Sequence, residues 1–232
     1  MNESLQTAYG AYAGRGDVVA ERNRVLRNTY WLLALSMIPT VLGAWIGVAT
    51  GLAAAMTPGV SLIVFLGGAF GLMFAIEKTK NSAAGVPVLL GFTFFMGLML
   101  SRLIGAVLGL GNGAGLIMTA FAGTGLIFFG MAMMSTVIKR DLSSMGKWLF
   151  IGVIMLLVAG IANVFIQSGP LMITLSVLAI GIFSAFILHD LKRVRDGEET
   201  NYITATLGVY LSLFNVFQSL LALLGIFGGD RD

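Results

Sequence analysis

The sequence predicts an all-α membrane protein, a bundle of seven transmembrane helices with a cytoplasmic N-terminus and an external C-terminus. Apolar residues make up 57% of the 232 residues and charged residues only 11%, against about 25% charged residues in soluble domains. The apolar residues fall in runs long enough to cross a bilayer as helices. Because hydrocarbon does not tolerate open β-edges, and the runs lack the alternation of barrel strands, we predict helices throughout.

The orientation follows from the basic residues. Of the 14 Lys and Arg residues, all but Arg102 and Arg231 lie in the N-terminal segment or directly after the second, fourth and sixth apolar runs. The segments after the first, third and fifth runs carry no charge. Basic loops remain in the cytoplasm, so this alternation predicts the stated topology. It also explains the basic composition without a nucleic-acid partner.

Taken in order, residues 1–28 are polar and predict a flexible cytoplasmic tail, and residues 29–232 form the membrane domain. Asp141 and two following serines indicate a polar turn before the fifth span, and Thr200 or Asn201 can cap the seventh. The seven spans are expected at residues 29–54, 60–76, 86–108, 114–138, 148–167, 170–189 and 202–227.

Small residues recur every four positions on three of the predicted helices. This spacing places them on one helix face, where they favour close approach of neighbouring backbones. The alternative, a permeation path lined by small residues, has less support. The positions are Gly43, Gly47 and Gly51 in the first span, Gly67 and Gly71 in the second, and Gly97, Ser101, Gly105 and Gly109 in the third.

Two ionisable residues lie within predicted spans, where charges are costly and are functional candidates. Asp190 closes the sixth span beside His189, the only histidine. It is either a solvated carboxylate matched by neighbouring cations or a buried, proton-sensitive acid. Arg102, in the third span, either faces the bundle or extends outward along its stem. Because the two spans run in opposite directions, Asp190 and Arg102 should lie near opposite membrane faces.

The seventh span carries a polar face. Thr204, Gly208, Ser212, Asn215 and Ser219 follow one another at intervals of three or four residues. In lipid this face should turn inward, and Asn163 and Gln167 of the fifth span could supply hydrogen-bond partners. Two interpretations stay open: structural hydrogen bonding, or a water-lined path that begins near Asp190.

Several function classes are excluded or disfavoured. The absence of cysteine excludes disulfides, thiol catalysis and cysteine metal sites. A lone histidine at the membrane rim supports neither a metal site nor a Ser–His nucleophile within the bundle. We therefore expect no metal, no cofactor and no enzymatic activity.

The two ends of the chain resemble the bacterial Bax-inhibitor family, and the length and span number match over essentially the whole chain. Within that family the chain is most similar to the inner-membrane modulators of the FtsH protease. The resemblance rests on residues 25–33, on residues 71–74 with Lys78 and Thr79, and on the C-terminal segments 197–206, 209–217 and 219–227.

The resemblance implies a seven-helix bundle with a central last helix, in the bacterial inner membrane. It also implies that the chain binds FtsH, a membrane-anchored AAA protease, and limits its attack on other membrane proteins. Some family members are described as pH-sensitive calcium leak pathways that use an aspartate pair. Asp190 falls at or next to the position of the first aspartate, but Ser212 stands where the second is expected, and this departure favours the protease modulator over a calcium or proton leak.

Overall fold

A computed structural model describes residues 3–228, with side chains for residues 19–228. All regular structure within these limits is helical: α1 (Glu3–Thr50), α2 (Leu52–Ala55), α3 (Pro58–Thr79), α4 (Gly85–Leu108), α5 (Gly113–Val137), α6 (Ser143–Ile166), α7 (Gly169–Asp196) and α8 (Tyr202–Gly228). Seven of these helices, all except α2, are long and apolar enough to cross a membrane. The predicted all-α, seven-span architecture is confirmed, while the orientation of the termini stays a prediction.

Several helix boundaries depart from the predicted ones. The first apolar run is interrupted at Gly51, whose φ of 65° lies in the left-handed region that glycine adopts without strain. Helix α6 begins at Ser143, earlier than predicted. Helix α7 continues to Asp196 because its basic last turns remain helical beyond the apolar run, and it ends at Gly197 with a φ of 82°.

The predicted tail, residues 1–28, ends inside α1 rather than at a break in the chain. Val25 is buried and packs against Val194 of α7 and Ala205 of α8. Thr29 is also buried, and its carbonyl accepts a hydrogen bond from Thr206 at 3.4 Å. The helix therefore joins the bundle before residue 29. The side chains of residues 1–18, which make up most of the predicted tail, lie outside the described part.

Helix starts follow local capping rules. Thr57 accepts a hydrogen bond from the Val60 N–H before α3, and Ser168 does the same for Leu171 before α7; each helix carries proline in its first turn. As predicted, Asn201 caps α8, with its Oδ1 accepting from the N–H groups of Ile203 and Thr204.

Asn201 also joins two loops. Its Nδ2 donates to the Lys80 carbonyl at 3.2 Å and to Asn81 Oδ1 at 2.9 Å. The α3–α4 and α7–α8 connections therefore meet at one end of the bundle. We call this end, which also holds the α5–α6 connection, the basic end. The end that holds the connections after α1, α4 and α6 is the opposite end.

Helix α8 is the central helix, as the resemblance implies. It contacts α1, α3, α4, α5 and α7. Val209, Tyr210 and Val216 are almost completely buried within the largest apolar cluster of the described residues. By contrast, α6 contains no buried residue and packs on α7 with a smaller contact to α3. Its exposed Trp148, Met155 and other large apolar side chains face the surroundings, as expected in lipid.

Close helix packing is confirmed for α1 and α4. A Cβ added to Gly43 would clash with the Phe94 carbonyl, and one added to Gly97 would clash with the Thr40 carbonyl. Only glycine permits this separation. The same prediction is wrong for Gly67 and Gly71 of α3, and for Gly51 and Gly105, because no atom of a neighbouring element lies within 4 Å of a Cβ at any of these positions.

Candidate functional site

Asp190 lies in the interface between α7 and α8, near the basic end. Its side chain is 17% exposed, and its Oδ1 lies 3.1 Å from His189 Nδ1. A Cβ on Gly208 of α8 would lie only 2.8 Å from Asp190 Oδ2, so the missing side chain makes room for the carboxylate. Asp190 is therefore a largely buried acid, and its proton sensitivity stays a prediction.

His189 points away from α8 and rests against α6. Its side chain is 8% exposed. Its Nε2 would lie 2.7 Å from a Cβ on Gly146, and its ring packs edge-on against Phe186, with centroids 6.2 Å apart. The histidine is thus enclosed by the helix start at Gly146 rather than exposed at the rim. Together His189 and Asp190 form a small, largely buried polar group.

Ser212 and Asn215 follow Gly208 along the polar face of α8. Ser212 is buried and lies one turn beyond Gly208, on the same face as the Asp190 contact. Asn215 is half-buried and donates from Nδ2 to the Leu211 carbonyl of its own helix, 2.8 Å away. Helix α8 contains no Asp or Glu from Tyr202 to Gly228, so Asp190 faces no second carboxylate from this helix.

The predicted partners of this face, Asn163 and Gln167, do not reach it. Asn163 Oδ1 accepts a hydrogen bond from the Ser168 N–H at 3.0 Å, and Gln167 ends α6 with a φ of 53°. Both therefore shape the α6–α7 turn. The prediction is wrong because α6 lies outside α7 and makes no substantial contact with α8.

Thr204 Oγ1, on the polar face of α8, is buried and has no hydrogen-bond partner among the described residues.

Arg102 is at the opposite end, as its position in the sequence predicts. Its side chain is exposed, and Nη1 donates to the Met56 carbonyl, 3.2 Å away, in the segment between α2 and α3. The five candidate residues thus do not form one site. Asp190, Ser212 and Asn215 follow the α7–α8 interface, His189 lies on the α6 side of α7, and Arg102 stands alone.

The basic end holds several paired charges. Lys192 is 6% exposed, and its Nζ lies 2.5 Å from Asp196 Oδ2. In the α5–α6 connection, hydrogen bonds from Ser143 and, to a lesser degree, the charge of Lys192 hold the pKa of the Asp141 carboxyl below its usual value. Asp141 therefore stays ionised in the turn that precedes α6.

Sequence reasoning missed Tyr210, the largest fully buried side chain among the described residues. It is 1% exposed, and its hydroxyl lies 2.9 Å from Thr40 Oγ1 and 3.4 Å from the Thr93 carbonyl. The signal was present, since Tyr210 is seven residues after Ile203 and four before Phe214, on the face buried in the core. Tyrosine in an apolar run, however, is equally common at the lipid interface.

Among the residues with described side chains, no group of three or more His, Asp or Glu residues is placed to hold a metal ion. Near the basic end, α7 offers one carboxylate, Asp190, beside one imidazole, His189. That pair can make hydrogen bonds, but it lacks the nucleophile of an acyl-transfer site.

A family model described as inhibitor of apoptosis-promoting Bax1 matches residues 22–229. The chain belongs to the Bax-inhibitor family. The matched range includes nearly all of the seven membrane-length helices. The match begins at residue 22, just before Val25, which is the first buried residue of α1 among those with described side chains.

Relatives within the Bax-inhibitor family cover nearly the whole chain. The modulator of FtsH protease YccA of Escherichia coli K12 is 36% identical over 208 residues, which is 90% of this chain and 92% of that protein. An uncharacterised membrane protein of Vibrio cholerae is 36% identical over 210 residues, with the same coverage. An Escherichia coli O6 relative carries the name inner membrane protein YccA. The chain is therefore a multi-pass protein of the bacterial inner membrane.

Proposed function

We propose that this Bax-inhibitor protein binds the membrane-anchored AAA protease FtsH and limits its attack on other membrane proteins. The observation that carries the proposal is the 36% identity, over 90% of the chain, to a protein named as a modulator of FtsH. The match also covers 92% of that protein, so the two chains correspond over nearly their whole lengths. The proposed action is non-enzymatic, because the described polar groups offer no nucleophile–base pair.

The packing of the bundle supports the proposal, because a protease that extracts proteins from the membrane would unfold this bundle slowly. Helices α1 and α4 approach so closely that Gly43 and Gly97 meet backbone carbonyls of the opposite helix. Central α8 is held by apolar burial and by the hydrogen bonds of Tyr210. A protease that pulls on α1 must break these contacts together. A slowly processed protein that occupies FtsH would protect competing membrane substrates by mass action.

A calcium or proton leak is the second function that the family resemblance implies, and the geometry gives it less support. A proton shared between two carboxylates requires both acids within a few ångströms. Asp190 lies against Gly208, but the next turn of α8 presents the hydroxyl of Ser212. The described part of the interface thus holds one acid of the pair.

Affinity capture tests the proposal. The full chain, tagged at its C-terminus, is captured from detergent-solubilised membranes of cells that contain a proteolytically inactive FtsH. We expect FtsH to copurify, and an equally abundant, tagged seven-helix protein of another family to capture none. In cells with active FtsH, raising the level of the chain should lengthen the half-life of another FtsH membrane substrate. Absence of FtsH from the capture, with an unchanged substrate half-life, would refute the proposal.

A further inference from the structure

Arg102 is isolated from every other described charge. Between residues 19 and 228, all other Lys, Arg, Asp and Glu residues lie toward the basic end or in its loops. A guanidinium group carries five N–H donors, and the Met56 carbonyl is the acceptor it meets among the described residues. Arg102 is six residues before the end of α4 at Leu108, which places it about 9 Å inside that end at 1.5 Å per residue. Its side chain is long enough to reach the headgroup region.

A groove lies beside this guanidinium. Its volume is about 310 Å³, and it is lined by residues of α1, α2 with the preceding Gly51, and α4: Gly47, Val48, Gly51, Ala54, Ser101, Arg102, Gly105 and Ala106. Nothing lies within 4 Å of a Cβ at Gly51 or Gly105, so the groove is open there. Apart from Arg102 and the Ser101 hydroxyl, its walls are apolar side chains or backbone.

We infer that this groove binds an anionic phospholipid, with Arg102 on the phosphodiester and one acyl chain along Gly105 and Gly51. Charge complementarity supports this occupant, because an isolated guanidinium at headgroup depth needs an anion. Phosphate oxygens match the planar fork of arginine. The walls of small residues suit an alkyl chain and would offer little to a soluble anion. The inference is independent of the proposed interaction with FtsH.

Native mass spectrometry of the full chain in detergent tests the site, with dioleoyl phosphatidylglycerol as the probe. Arg102→Gln removes the charge but keeps a polar stem. Gly105→Leu fills the groove, and the open space at Gly105 allows the bundle to remain folded. Arg24→Gln is the matched control, because Arg24 is exposed near the basic end.

We expect the unmodified chain to bind one phosphatidylglycerol at least about fivefold more tightly than dioleoyl phosphatidylcholine, which corresponds to about 1 kcal/mol per cation. Arg102→Gln and Gly105→Leu should each abolish that preference, while Arg24→Gln should retain it. Equal affinity for the two lipids, or phosphatidylglycerol affinity unchanged by Arg102→Gln, would overturn the inference. Competition by sn-glycerol-1-phosphate alone would also overturn it, in favour of a soluble phosphate.

Discussion

The hydroxyl groups of Tyr210 and Thr40 lie 2.9 Å apart and join central α8 to α1 inside the bundle. Thr40 has one hydroxyl proton, and that proton is donated to the Ser36 carbonyl at 2.8 Å. Tyr210 is therefore the donor and Thr40 the acceptor. The Thr93 carbonyl of α4, at 3.4 Å, accepts a weaker share of the same proton. One tyrosine thus connects three helices.

Tyr210→Phe should destabilise the bundle by about 1 kcal/mol, the scale of one interhelical hydrogen bond in a membrane protein. Thr40→Val should cost a similar amount, and the double variant less than the sum, because both changes remove the same bond. Thermal unfolding in detergent measures all three. Thr119→Val is the control, since the exposed Thr119 hydroxyl bonds only the Gly115 carbonyl of its own helix. Strict additivity would contradict the assignment.

Gly97→Ala should destabilise the bundle by about 1–3 kcal/mol, because the added Cβ forces α1 and α4 apart. Gly91→Ala, on the same helix, meets no atom of another element within 4 Å and should be neutral or mildly stabilising. Comparing the two unfolding temperatures separates a packing effect from a change in helix propensity. Similar losses at both positions would argue against the close approach.

The orientation of the chain can be tested with reporter fusions. A reporter that works only outside the cytoplasm should be active after Asp232 and inactive after Arg140, because the basic α5–α6 connection is expected in the cytoplasm. A reporter that works only inside should give the reverse pattern. Activity of the cytoplasmic reporter after Asp232 would invert the predicted topology.

Removal of residues 2–18 should lengthen the half-life of the chain in cells with active FtsH, if the protease engages the protein through its N-terminal segment. The deletion leaves Val25 and the rest of the packed part of α1 in place. A variant in which the same residues become a Gly-Ser linker of equal length should be degraded normally, because it still offers a segment to grip. Unchanged turnover of the deletion variant would eliminate this initiation site.

The unmodified chain should show little or no acid-tuned calcium flux in proteoliposomes between pH 6 and 8. Ser212→Asp should introduce pH-dependent flux, because it adds a carboxylate one turn from the Asp190 contact at Gly208. Asp190→Asn added to that variant should abolish the flux, and Ser212→Asn is the uncharged control. Strong pH-gated flux of the unmodified chain, lost on Asp190→Asn alone, would make the leak the primary function.

The sequence predicts the number of spans and the inward face of α8 because hydropathy and helical period depend only on residues close in the chain. Neighbour relationships between helices do not follow from that information. The polarity of Asn163 predicts a hydrogen bond to the polar face of α8, but α6, which carries Asn163, packs outside α7. Tyr210 was overlooked for the converse reason, since an aromatic residue in a span can face either lipid or the core.

The continuity of α1 has a mechanical consequence. The helix runs for 48 residues, with Pro39 inside it, and is about 72 Å long at 1.5 Å per residue, whereas the hydrocarbon core is about 30 Å thick. A force applied at its N-terminal end is transmitted along the helix axis to the contact with α4. There it acts in shear, and the contacts at Gly43 and Gly97 bear the load at the same time instead of peeling apart one by one.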